Sequence, residues 1–161
     1  MRRGAKKGFT LVEILIVVII LGILAAIVIP QFTQASTQAR VSNLKTNLQT
    51  MRSQLLLYKM QHDNEAYPTN FVTQMTQYTN SAGTAVATPD ATHTLGPYLQ
   101  AIPANPMSSI ATVRVVTDPT ATFSCAADAG WYFNSGTGEF RADLTTSAIN
   151  KTPDGTNYNA L

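Results

Sequence analysis

A single cysteine, Cys125, stands among 161 residues, so no intramolecular disulfide can staple the fold. A catalytic thiol would also want a base beside it, and the sequence identifies none. Histidine is nearly as scarce. His62 and His93 are isolated, with no second His or Cys at metal-ligand spacing. No G-x-S-x-G turn, P-loop or paired acidic signature is present. Asp63 and Glu65 read as solvated capping groups at a helix end. No enzyme activity is expected of this chain. Charged residues make up only 12%, and the formal net charge of +2 hides an asymmetry. Four of the eleven basic residues, Arg2, Arg3, Lys6 and Lys7, precede Gly8, while all nine acidic residues follow it. The balance from Phe9 onward is near −2, without a concentrated basic patch, so no nucleic-acid partner is expected.

What is present is a long apolar run. Ile14 to Ile29 contains no charged or strongly polar side chain. Residues 9–29, at 1.5 Å rise per residue, would extend roughly 31 Å as a helix, the thickness of a bilayer hydrocarbon core. The basic cluster in front of it predicts a cytoplasmic N-terminus, with the rest of the chain across the membrane. Glu13 sits inside the first turn of this run. A carboxylate at the bilayer centre costs about 2.5–3.5 kcal/mol, so something must compensate it.

Three readings fit a basic start followed by an apolar run. A cleaved secretory signal requires a small-x-small site, but the run passes straight into Pro30-Gln31-Phe32. An uncleaved signal anchor explains the hydrophobicity but leaves Glu13 without a purpose. The third follows the residues themselves. Lys7-Gly8-Phe9-Thr10-Leu11-Val12-Glu13, the aliphatic run and Pro30 resemble the prepilin signature of type IV pilin-like proteins. The resemblance implies cleavage between Gly8 and Phe9 by a membrane prepilin peptidase, which also N-methylates Phe9. It further implies that Glu13 pairs with the amino terminus of Phe9 in a neighbouring subunit, an attraction strengthened at low dielectric.

Gly22 and Pro30 predict a kink or local melting, because proline lacks the N–H and crowds the preceding turn. Beyond them Val41, Leu44, Leu48, Met51, Leu55 and Tyr58 recur at spacings of three and four, the stripe of an amphipathic helix. The stripe is too short and too poor in complementary charge for a coiled coil. It is expected to pack on the protein's own sheet. A helix from Phe9 to about Gln61 would be on the order of 80 Å long. The expected fold is α+β, a long N-terminal helix packed on a small antiparallel β-sheet head. Its divisions are a leader at 1–8, a transmembrane or filament-core helix at 9–29, an amphipathic continuation at 30–61, and a head at 62–161.

In the head, Tyr58 to Thr69 and Leu95 to Pro106 resemble the "YK…YPT" and "GPYL…P…P" passages of type II secretion major pseudopilins. Thr76 to Thr94 reads as a loop, or a weak helix followed by one. Ala111 to Thr117 reads as a strand, and 130–134 with 139–144 as a hairpin turning through Ser135 to Gly138. Phe140, Ala142 and Leu144 alternate with Glu139, Arg141 and Asp143, so one face is expected to be buried. Trp131 is expected in the core. Secretion pseudopilins commonly hold one calcium ion near the C-terminus. Asp143 and Asp154 are the candidate ligands here, but the spacing matches no named calcium loop and acidic residues are sparse. Asn150-Lys151-Thr152 fits a glycosylation sequon, with Pro153 directly after it.

The resemblance implies a structural subunit of a type II secretion pseudopilus, polymerising through its N-terminal helix to drive protein export. Implied partners are further copies in a filament, the prepilin peptidase, an inner-membrane assembly platform with its cytoplasmic ATPase, minor pseudopilins, and membrane lipid before assembly. The implied location is the bacterial inner membrane with a periplasmic head, then a periplasmic or surface filament. A type IV pilin for adhesion, motility or DNA uptake is the near alternative. Such pilins usually carry a disulfide-bounded loop, which a lone Cys125 cannot make. A signal-anchored periplasmic binding module is the distant one.

Overall fold

The computed structural model describes residues 8–126, 128–144, 155 and 157–161. It divides into two units, Met1–Ala39 and Arg40–Leu161, and helix α1 (Leu11–Gln61) contributes to both. From Ile14 to Ile29 the helix is aliphatic on every side, so no inward face exists there and its large side chains are exposed. Helical backbone continues through Gly22 and Pro30, without local melting. In the turns that follow, the hydroxyls of Thr33 and Thr37 donate to the carbonyls of Ile29 and Thr33 at 3.3 and 3.0 Å.

The second unit has its own core. Val41, Leu44, Leu48, Met51, Leu55 and Tyr58 are all buried, since their spacing keeps them on one side of α1. After Gln61 the chain leaves the helix at His62, whose backbone is extended, and makes a 3₁₀ turn at Asp63–Glu65. A short helix, α2 (Phe71–Thr76), adds Phe71 and Met75 to the core. Two strands, β1 (Tyr78–Thr79) and β2 (Ala85–Val86), then form a small antiparallel ladder. This hairpin lies where the sequence predicted only loop or weak helix. Two-residue strands are too short to show a period of two, and the turn is held by Asn80, whose side chain accepts from the Thr84 N–H at 2.9 Å.

The main sheet is β3 (Val113–Val116), β4 (Trp131–Asn134) and β5 (Glu139–Ala142), in that spatial order. β4 and β5 form the expected antiparallel hairpin, pairing Trp131 with Ala142 and Asn134 with Glu139. β3, however, lies parallel to β4, so the head is not wholly antiparallel as expected. The connection through residues 117–130 exceeds the dozen or so residues a parallel return requires. In the hairpin turn Gly138 has φ +79°, and a Cβ there would meet the Tyr67 ring at 2.1 Å, so only glycine fits.

Trp131, Phe133, Phe140 and Ala142 pack with α1 and α2 in one cluster. Trp131 is fully buried and its indole N–H donates to the Pro103 carbonyl at 2.8 Å. Phe71 joins the sheet by stacking on Phe140 with ring centres 5.5 Å apart. Arg52, on the polar side of α1, pins helix to sheet edge. It donates to the Phe140 carbonyl at 2.8 and 3.1 Å and to the Leu161 carbonyl at 2.7 Å.

Candidate functional site

Glu13 occupies the first turn of α1 and is not bare. Its Oε2 accepts from the Thr10 N–H and the Thr10 hydroxyl, each at 2.8 Å, while its own N–H donates to Thr10 Oγ1 at 3.2 Å. This is a reciprocal capping box, which satisfies helix N–H groups that have no partner one turn back. Sequence reasoning missed Thr10, although the Thr-x-x-Glu spacing was its signal. Phe9 is 82% exposed, and a Cβ on Gly8 would meet nothing within 4 Å among the described residues. α1 contains a window of mean hydropathy 3.3, none of it buried, long and apolar enough to cross a membrane. The arrangement is an exposed apolar helix with one carboxylate near its start, hydrogen-bonded by the neutral groups of Thr10.

Asp143 lies at the far end of the main sheet, just after β5, and is fully buried. Arg114 from β3 meets its Oδ2 at 2.8 Å, through Nη2, and at 2.9 Å, through Nε; Ala126 N–H donates to Oδ1 at 2.8 Å. Both carboxylate oxygens are therefore committed within the chain. As placed, Asp143 is the ion-pair partner and hydrogen-bond acceptor of its own chain, and a cation beside it would face the Arg114 guanidinium. Asp154, the other candidate ligand, lies outside the described residues, as do Asn150, Lys151 and Thr152 of the sequon. Among the described residues no three His, Cys, Asp or Glu groups converge.

The two histidines have structural partners. His62 is buried, stacked on Tyr58 with ring centres 3.6 Å apart, its Nδ1 2.7 Å from the Tyr58 carbonyl and Nε2 3.0 Å from Thr79 Oγ1. His93 Nδ1 lies 2.8 Å from Asp90. Cys125 is exposed, with the Asn159 amide 3.1 Å from its sulfur. Burial, and secondly the neighbouring Tyr98, push the Tyr58 phenol up to about 12. Because the folded value is raised, that contribution to stability is complete below about pH 10, the ordinary tyrosine value, and is lost as pH rises through the folded one. Thermal melting followed from pH 8 to 12 should fall above pH 10, and fall less steeply in Tyr58→Phe. A parallel decline in both proteins would assign the alkaline loss elsewhere.

Residues 3–29 match a family model described as the prokaryotic N-terminal methylation motif. The chain is 47% identical over 68 residues to the type II secretion system core protein G of Pseudomonas aeruginosa, covering 42% of this chain and 46% of that one. It is 39% identical over 69 residues to the protein of the same name from Klebsiella michiganensis, covering 43% and 47%. It is also 50% identical over 46 residues to the type IV major pilin protein PilA of Myxococcus xanthus, covering 29% and 21%. The chain thus spans less than half the length of these curated relatives. No solved structure matches it significantly. Motif and relatives alike place the similarity to pseudopilins and type IV pilins in a part of the chain. Within that class the secretion core proteins are the longer matches.

Proposed function

We propose that the chain is a structural subunit of a type II secretion pseudopilus. The observation that carries this reading is the exposed aliphatic helix with a single carboxylate one turn in, on a segment similar to secretion core protein G. A membrane prepilin peptidase removes the leader between Gly8 and Phe9 and N-methylates Phe9. The helix then rests in membrane lipid, with the basic N-terminus cytoplasmic and the head periplasmic. On assembly Glu13 exchanges Thr10 for the amino terminus of a neighbouring subunit, and Gly22 and Pro30 give the helix freedom to bend. An inner-membrane platform with its cytoplasmic ATPase adds subunits, together with minor pseudopilins, and the growing filament moves exported proteins outward.

A type IV pilin for adhesion, motility or DNA uptake is the second reading, favoured by the similarity to the Myxococcus xanthus pilin. The first test is the intact mass and N-terminal sequence of the membrane-extracted protein. A chain beginning at N-methylated Phe9 is expected. One beginning at Met1 in a host with a working prepilin peptidase, or after residue 30, would sink both filament readings. Deleting the gene separates them: loss of protein export marks the pseudopilus, and loss of surface pili marks the pilin.

A further inference from the structure

Charge is segregated within the second unit. From Arg40 to Gln61, α1 carries four basic residues and no acidic one, whereas residues 62–161 carry eight acidic residues against Arg114, Arg141 and Lys151. Two of those cations are consumed locally, Arg114 by Asp143 and Arg141 by Glu139. That leaves acidic groups on the β3–β4 crossover. Asp118 and Asp128 are exposed, and neither has a cationic partner among the described residues. The Thr120 hydroxyl and N–H donate to Asp118 at 2.7 and 2.8 Å and lower its pKa, so the charge persists well into acid.

The opposite charge lies in a groove along α1. Lys45, Gln49, Arg52, Ser53, Leu56 and Leu161 contribute to a depression of about 390 Å³ whose lining, among the described residues, has no acidic side chain. Lys45 is exposed and without an ion-pair partner among the described residues. Along this flank Lys45, Gln49, Ser53, Leu56 and Met60 follow spacings of four, four, three and four, one continuous helical stripe. Its last members are apolar yet open to water, Leu56 at 56% and Met60 at 81%. A cation at one end and uncovered apolar surface at the other suit a partner that brings carboxylates and some apolar area. The β3–β4 crossover of this chain carries two such carboxylates, with Pro119 exposed beside Asp118 and Phe123 half-buried against the Tyr132 ring.

We propose that this groove docks the acidic β3–β4 crossover of a second copy of the chain, with Lys45 facing Asp118 and Asp128, and Leu56 and Met60 covered by the contact. The inference rests on the filament reading and adds to it a contact between heads. Groove and crossover are different surfaces, so the contact repeats head to tail and generates an open series rather than a closed pair. Complementary charge across such a contact fixes partner and register, and like charge placed there opposes it.

The test uses full-length variants in cells that assemble the filament, with sheared filaments recovered by sedimentation. Processing to Phe9 and protease resistance of the membrane-held subunit confirm that each variant is made and folded. Lys45→Glu, Leu56→Asp and the double variant Asp118→Lys with Asp128→Lys should each lower recovered filament by about tenfold or more. Combining Lys45→Glu with both aspartate reversals in one chain should regain most of it. Wild-type filament yield in Lys45→Glu and Leu56→Asp would overturn the proposal, and so would failure of the combined reversal to recover. Normal filaments with failed export would also overturn it, by assigning the groove to a different protein. If the processed wild-type chain forms no filament at all, it is the filament reading itself that fails.

Discussion

Glu13→Ala should leave cleavage after Gly8 intact and reduce filament formation by about two to nearly four orders of magnitude. In the proposed filament the substitution leaves the amino group of a neighbouring Phe9 buried without its counter-charge, a loss of roughly 3–5 kcal/mol per contact. The capping box complicates the interpretation of alanine alone, because Glu13 also accepts from the Thr10 N–H and hydroxyl. Glu13→Gln separates the two roles. Glutamine keeps a side-chain oxygen for the cap, yet offers no charge to a partner's ammonium. Filament yield in sheared fractions, with N-terminal sequencing to confirm processing, measures both. Loss in Gln as well as Ala is the expected result. If Gln assembles like the wild type while Ala does not, Glu13 is a helix cap and not an assembly residue.

Arg114→Ala should destabilise the second unit by about 3 kcal/mol, toward the lower end of the range for breaking a buried pair, because the guanidinium side is partly open to water. Asp143 is left with a fully buried charge and, among the described residues, the Ala126 N–H alone on its carboxylate. Denaturant unfolding of the full-length chain in detergent, wild type against variant, measures the loss, and a difference under about 1 kcal/mol would displace the ion-pair account.

Much of the helical part was legible in the sequence, for reasons that act over short range. The 3–4 spacing from Val41 to Tyr58 needs only helical geometry to become a buried face, and all six residues are buried. The alternation around Phe140 and Ala142 likewise places both in the core by the period of a strand. The pairing of β3 was not legible. Strand propensity at 111–117 is the same for either direction, and the direction depends on where a fourteen-residue crossover returns the chain. Thr10 could have been read from its spacing to Glu13, whereas the Arg52 and Arg114 contacts span 88 and 29 residues and carry no local signal.

By itself, the sequence determined the apolar N-terminal segment, the processing signature around Gly8 and Phe9, and the helix that continues to Gln61. Each depends on hydrophobicity and periodicity between residues a few positions apart. Tertiary structure alone decided which charges are spent and which remain. Arg114 finds Asp143, and Arg52 finds two carbonyls, while Lys45 and Asp118 have no opposite charge beside them among the described residues. An ion pair is settled by distance in space, and distance in space between residues far apart in the chain is what folding supplies.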